Sequence, residues 1–218
     1  RYADITYLSK ATLQVKDVSS DPSSFLSQSS GSMFNFNRTK IDNYIAQIKA
    51  NQNIRDVVET LDLQTTIYNV GRIKNSVAFG SEIPFDIEFK TDEYFKDIKL
   101  NLKPISSTIE FEEKKLTFDP SYPLEIDDFI LTVYAFDETV TNEYLIKRTS
   151  KKNSFSSLSN KIKVNSSSKE GDNLDISIIG SNISKNEAII NSLINVAHGS
   201  QIKDKQEIYT LSIDFIND

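Results

Sequence analysis

Few residues of this chain have side chains that commonly do chemistry. His198 is the only histidine, and the sequence contains no cysteine. The lack of cysteine excludes a disulfide framework, a thiolate zinc site and a cysteine nucleophile. A three-histidine zinc site is also excluded within one chain, unless carboxylates fill in. Because Gly199 follows His198, we interpret this histidine as a cation in the last turn of a helix.

Two acidic pairs, Glu112-Glu113 and Asp127-Asp128, raise the question of a glycosidase. Adjacent carboxylates on a strand point to opposite faces, so neither pair is a natural acid/base couple. We interpret both as solvated turns or strand edges. Asp119 together with Asp127-Asp128 lacks the EF-hand pattern of a calcium site. No glycine precedes a Lys-Ser/Thr pair, so there is no phosphate loop. The sequence therefore predicts no catalytic residue, no cofactor and no metal site.

The composition is that of a folding chain with an acidic balance. It has 218 residues, 38% of them hydrophobic, and a net charge of -6. This length suits one sizeable domain or two small ones. The sequence predicts no nucleic-acid partner, because phosphate binding needs a basic face. No apolar run reaches the roughly 18 residues of a membrane helix. The chain stops inside an amphipathic pattern, and we expect the natural protein to extend beyond both ends.

The N-terminal part must supply a strand and two helices. Residues 5–16 alternate with period 2, which predicts a strand with one polar face. Residues 17–37 are polar and are predicted as a loop. Residues 39–62 carry apolar side chains at helical spacing on both sides of Asn51-Gln52-Asn53, which predicts two helices or one kinked helix. Asn53 is the expected N-cap of the second helix.

The middle of the chain changes to the period of strands. Apolar and polar residues alternate around 83–89, 98–102, 109–118 and 144–146. Residues 129–136 are apolar on both faces, which predicts a central strand. Short strands at this spacing indicate an antiparallel sandwich.

The C-terminal part returns to strands and helices. Residues 149–160 are rich in Ser, Lys and Asn and are predicted as a linker, with short strands following at 162–164 and 174–178. Ser184 and Glu187 have the spacing of a capping box, and Gly199 stands where a helix should stop. A further helix from about 201 has a near-heptad apolar face. This predicted oligomerisation or helix-packing face consists of Ile202, Tyr209, Ile213 and Ile216.

The order of these elements predicts an α+β fold made of two parts. Residues 1–78 and 160–218 are expected to form one discontinuous α/β domain. Residues 79–159 are expected to form an inserted antiparallel β-sandwich, jelly-roll-like in character.

Three stretches of the chain carry a resemblance to a known family. They are YLSKATLQVKD (7–17), IDNYIAQIK to YNVGRIK with Pro84-Phe85 (41–85), and ISI to IDFI (176–216). Together they are similar to the periplasmic domain of the polysaccharide co-polymerase, or chain-length-determinant (Wzz), family, in particular to Bacteroidetes-type exopolysaccharide transport proteins and tyrosine autokinases. Asn51-Gln52 and Ala197-His198 depart from the family pattern. The resemblance covers the two ends, about half of the chain, and the central strands only loosely.

The resemblance implies a split Wzz-like domain and a non-catalytic role in this part of the protein. It implies a periplasmic domain of a bacterial inner-membrane protein, flanked by two membrane helices, that forms a homo-oligomer. Such an oligomer regulates the chain length and export of capsular or exopolysaccharide. The implied partners are a polysaccharide polymerase or outer-membrane export channel and the polysaccharide itself. Some relatives carry a cytoplasmic tyrosine autokinase after the second membrane helix.

Two other functions remain open at the level of sequence. The central strands, with the aromatic residues Tyr94-Phe95 and Tyr122, would suit a carbohydrate-binding or adhesive β-sandwich at the cell envelope. A glycan-cleaving enzyme would need two facing acidic residues in a cleft, and a sequence cannot show that arrangement.

Overall fold

The computed structural model describes residues 5–15, 33–92, 96–103, 105–134, 142–167 and 173–217. Within these ranges, side chains are described for all residues except those of 33–40, 204, 205, 208 and 211–217. The elements of the N-terminal half are β1 (Tyr7–Gln14), α1 (Met33–Ile48), α2 (Asn51–Thr60), β2 (Thr65–Asn69), β3 (Ser76–Ala78), β4 (Phe85–Phe89) and β5 (Ile98–Leu102). Those that follow are β6 (Ser107–Phe111), β7 (Lys114–Phe118), β8 (Leu124–Glu125), β9 (Phe129–Val133), β10 (Asn142–Arg148), α3 (Lys151–Lys161), β11 (Lys163–Ser166), β12 (Asn173–Gly180) and α4 (Ile183–Asn217).

The chain divides into two units, each assembled from separate stretches. Unit 1 comprises Arg1–Tyr7, Asp62–Ser156 and Gly180–Lys185, and unit 2 comprises Leu8–Leu61, Ser157–Ile179 and Asn186–Asp218. The first main boundary falls at residue 62 rather than at the expected 79, because β2 pairs with β10 and β3 pairs with β2. The mixture of helices and antiparallel sheets is an α+β fold, as predicted.

Unit 1 contains two antiparallel sheets around one core. Their strand orders are β3-β2-β10-β5-β6-β7 and β4-β9-β8. β9 is the middle strand of the smaller sheet, which confirms the central strand predicted at 129–136. The buried residues shared by the two sheets are Phe85, Ile87, Ile98, Leu100, Leu102, Ile109, Phe111, Phe129, Leu131, Tyr144 and Ile146. They come from alternate positions of each strand, because successive side chains of a strand point to opposite faces.

Unit 2 combines a small sheet with helices. The sheet has the order β1-β12-β11, and Leu174, Ile176 and Ile178 of its middle strand are buried. Asp175 lies on the opposite side of this strand, where its carboxylate accepts hydrogen bonds from Lys10 and Thr12 of β1, both at 2.7 Å. The pKa of Asp175 falls to about 2 because Lys10, Thr12 and Ser167 all bond to the ionised form. One carboxylate on β12 thus bonds to β1 and to Ser167, the residue that follows β11.

Two predicted loops are helical in the structure. Residues 33–37, expected in a polar loop, belong to α1, whereas residues 16–32 lie outside the described part. Residues 149–160, expected as a linker, contain most of α3. The Ser150 hydroxyl accepts the backbone N–H of Asn153 and caps α3, and Leu158 is buried. A Ser-rich composition therefore hid a capped helix with a buried apolar residue.

Candidate functional site

The predicted oligomerisation face lies on α4. This helix runs unbroken for 35 residues, so the stop expected at Gly199 is wrong. Ile202 and Tyr209 are exposed to 44% and 69%, and their spacing of seven residues places them on one side of the helix. Ile213 and Ile216 belong to α4, but their side chains lie outside the described residues.

The first part of α4 packs into unit 2, and the side chains described between residues 202 and 210 do not. Ile189, Ile190, Leu193 and Ala197 are buried at helical spacing. From Ile202 to Thr210, every side chain that the structure describes is exposed. Ile202 and Tyr209 are the two exposed large apolar residues among the side chains described in this part of α4.

Polar contacts hold the middle of α4 against the α1–α2 corner. The Ser200 hydroxyl donates to Asn53 Oδ1 at 2.9 Å, and Gln201 Nε2 donates to Gln47 Oε1 at 2.7 Å. Asn53 also donates its Nδ2 to the backbone carbonyl of Gln47 at 2.8 Å. Asn53 is 3% exposed and is not the N-cap of α2 that the sequence suggested. These bonds fix the register of α4 immediately before its exposed face begins.

The start of α4 is fixed within unit 1 by Asn182. Its Oδ1 accepts the backbone N–H of Lys185, so Asn182 is the N-cap and the predicted Ser184–Glu187 capping box does not form the cap. The Asn182 amide donates to the Val77 carbonyl at 2.9 Å and to Glu82 Oε2 at 3.0 Å. Both ends of this side chain are therefore used in positioning the helix.

A shallow groove of about 370 Å³ lies between α2 and α4 in unit 2. Its charged residues are Asp56 and Glu59 on α2 and Lys203 on α4. The two carboxylates are one helical turn apart on the same helix rather than facing each other. They therefore do not have the arrangement in which an acid and a base act from the two sides of a glycosidic bond.

The acidic pairs singled out in the sequence are solvated, as expected. Glu112 and Glu113 form the two-residue turn between β6 and β7, both with positive φ, at 48° and 64°. An ion pair with Lys96 lowers the pKa of Glu112. Asp127 is exposed and Asp128 half-buried, in the bend before β9. His198 is exposed in the middle of α4, so the proposed role at a helix end is wrong.

Sequence reasoning missed Arg148, the last residue of β10. Its side chain is 7% exposed and points to the inner face with Tyr144 and Ile146. Its guanidinium carbon lies 4.3 Å from the centre of the Phe89 ring, on a strand of the facing sheet. The period of β10 places Arg148 on the core side, and that signal was present in the sequence.

Asp92 lies between Arg148 and the start of α3. Its Oδ1 is 3.4 Å from Arg148 Nη2, and its Oδ2 is 3.0 Å from Lys151 Nζ. The hydrogen bond from Lys151 lowers the pKa of Asp92, with a smaller contribution from Arg148. The three side chains together carry a net charge of +1.

Comparison with known proteins does not identify the chain. No protein-family model matches it, and no curated protein matches it. Among the residues that the structure describes, no helix is both long and apolar enough to cross a membrane. The same residues contain no group of three or more His, Cys, Asp or Glu side chains that could hold a metal ion.

Proposed function

We propose that this chain is the extracytoplasmic domain of a membrane-anchored polysaccharide co-polymerase. In this role it forms a homo-oligomer and regulates the chain length and export of a capsular or exopolysaccharide. Its action is geometric: packed copies scaffold the polymerase or the outer-membrane export channel. Catalysis of bond cleavage in this part of the protein is not proposed.

The observation that carries the proposal is the exposed apolar side of α4. Ile202 and Tyr209 lie about 10 Å apart along one face of a continuous helix. The helix is held in register by Ser200 and Gln201 just before this face. Two exposed apolar side chains on one side of a continuous helix suit contact with a second copy of the chain, because burying them removes apolar area from water.

The finer fold that accompanies this proposal is a split Wzz-like domain with a jelly-roll-like insert. Unit 2 combines residues 8–61 with residues 157–179 and 186–218. A split domain requires such a combination of segments that are far apart in the chain. The sandwich of unit 1 corresponds to the insert. The resemblance of residues 7–17, 41–85 and 176–216 to the chain-length-determinant family supports the same reading.

Cysteine cross-linking tests the oligomer directly, since the chain has no native cysteine. Tyr209→Cys places a thiol on the proposed face. Tyr122→Cys is the matched control, because Tyr122 is 70% exposed in unit 1 and Tyr209 is 69% exposed. We expect oxidation to give disulfide-linked dimers with Tyr209→Cys and mainly monomers with Tyr122→Cys. Equal cross-linking of the two variants, or none in either, would contradict the proposed face.

Polymer length in the source bacterium tests the function. Tyr209→Asp introduces a charge that an apolar contact between copies cannot accommodate. We expect this variant to change the length distribution of the surface polysaccharide, measured by gel filtration or gel electrophoresis. Ile105→Asp, at an apolar residue of unit 1 that is 87% exposed, should leave the distribution unchanged at the same protein level. An unaltered distribution in a strain lacking the protein altogether would exclude the role.

A further inference from the structure

The guanidinium of Arg148 is held in place by packing, but its hydrogen-bond donors are not all paired within the described residues. It stacks on Phe89 at the end of the unit 1 core, and the side chain is 7% exposed. The adjoining Asp92 side chain is 65% exposed, so the site lies one side chain away from solvent on that side. A buried charge is retained only where it is paired and hydrogen-bonded.

One edge of this guanidinium has an incomplete set of partners. Nε and Nη2 form the edge with which arginine binds a carboxylate through two parallel hydrogen bonds. Nη2 has one long contact, 3.4 Å to Asp92 Oδ1. Nε is buried and has no hydrogen-bond partner within the described residues. The other oxygen of Asp92 bonds to Lys151, so Asp92 occupies only half of the edge.

Thr65 adds a second unsatisfied group beside it. Thr65 on β2 is directly opposite Arg148 on β10, so the two side chains share the inner face of the sheet. Thr65 Oγ1 is also buried without a hydrogen-bond partner in the part of the chain that the structure describes. Both groups can donate, and what they lack in common is an acceptor.

We propose that Arg148 and Thr65 form a binding site for the carboxylate group of a ligand. The carboxylate takes the Nε and Nη2 hydrogens of Arg148 and the hydroxyl hydrogen of Thr65, while Asp92 turns fully to Lys151. Charge favours this ligand: Arg148 and Lys151 against Asp92 leave +1, which one carboxylate neutralises. The site is inferred from the donors of Arg148 and Thr65 that lack an acceptor within the described residues, and it does not depend on the proposed function. A uronic acid residue of a glycan and a free small carboxylate present the same group.

Side-chain NMR of the arginine Nε–H group measures the site directly. The ¹⁵N-labelled chain is titrated with sodium acetate, sodium glucuronate, sodium chloride and glucose at constant ionic strength. Arg148→Lys identifies the Arg148 signal by its loss, and Arg72→Lys, at an exposed arginine, is the control that should retain it. We expect acetate and glucuronate to shift the signal in a saturable way, and chloride and glucose to leave it in place.

Two further variants separate binding from a general salt effect. Thr65→Val removes the hydroxyl at nearly constant shape, and should weaken carboxylate binding about three- to tenfold, as expected for one hydrogen bond. Asp92→Asn removes the competing carboxylate and should strengthen binding. Tighter binding of glucuronate than of acetate would identify an acidic sugar as the source, and equal binding would identify recognition of the carboxylate alone.

Three results would overturn the proposal. The first is a signal that moves with neither carboxylate, or equally with chloride. The second is weaker carboxylate binding in Asp92→Asn. The third is an Nε–H group already bonded to an internal water, detected by its exchange cross-peak with water and unchanged by either carboxylate.

Discussion

Ser200 Oγ donates a hydrogen bond of 2.9 Å to Asn53 Oδ1 across 147 residues of sequence. Asn53 in turn donates to the carbonyl of Gln47, so its amide uses both ends in a site that is 3% exposed. A buried polar group in such a network adds specificity of register, because any slip of α4 would leave the amide unsatisfied.

Removal of this amide should destabilise the chain. Asn53→Ala removes the acceptor of the Ser200 hydroxyl and leaves the Gln47 carbonyl with only the Ala50 N–H, and we expect the free energy of unfolding to fall by about 1–3 kcal/mol. Urea denaturation measures the change. Gln52→Ala is the control, since Gln52 is exposed and, within the described part of the chain, its side chain bonds to Asp56 on the same helix. A double-mutant cycle with Ser200→Ala should give a coupling energy clearly different from zero, and additive effects would show that the bond contributes nothing.

Substitution of Gly199, unlike that of Asn53, is predicted to stabilise the protein. It lies inside α4, and a Cβ added there would meet no atom within 4 Å. Because glycine costs helix interiors about 0.5–1 kcal/mol relative to alanine, Gly199→Ala should stabilise the protein by about that amount. Thermal unfolding followed by circular dichroism measures it. Destabilisation would mean that the helix ends at Gly199 after all.

A glycine in the hairpin turn at Glu112-Glu113 is predicted to stabilise the protein. Both residues have positive φ, which glycine adopts without the Cβ penalty of about 1–2 kcal/mol. Glu113→Gly should therefore raise the free energy of unfolding by about 1 kcal/mol, measured by urea denaturation. Glu113→Ala removes the same charge and keeps the Cβ, so it should give little or no gain. An equal gain in both variants would assign the effect to charge instead.

Asp175 makes the stability of unit 2 sensitive to acid. Its pKa in the folded chain is about 2, below its ordinary value of 3.8. A depressed pKa contributes stability that is fully present above 3.8 and is lost as the pH falls toward 2. The difference in urea midpoint between the natural chain and Asp175→Asn should therefore be large at neutral pH and shrink in this window. A pH-independent difference for Asp175→Asn would refute the assignment.

Helix and strand identity followed from local pattern wherever the apolar period was strong. The alternation at 83–89 and 98–102 predicted β4 and β5, and the doubly apolar 129–136 predicted the central strand β9. The pattern failed where composition outweighed period. Residues 149–160 looked like a linker because Ser and Lys dominate, yet a Ser150 cap and the buried Leu158 suffice to form α3.

The candidate functional residues, like the helices and strands, were predicted in part and missed in part. Exposed Ile202 and Tyr209 were predicted as one helix face, because residues seven apart return to one side of a helix. Gly199 was taken as a helix stop, although a single glycine costs only about 1 kcal/mol and neighbouring contacts such as Ser200–Asn53 outweigh it.

The sequence by itself determined the strands and helices with a strong apolar period, which of their faces are apolar, and which chemistries are excluded by one histidine and no cysteine. Only the tertiary structure decided that β2 and β3 join the sandwich, that Asn53 meets Ser200, and that Arg148 lies between Phe89, Asp92 and Thr65. The reason is physical: periodicity reports the environment of each side chain along its own element. The choice of partner depends on packing and hydrogen bonds between segments far apart in the chain, and those contacts leave no local pattern.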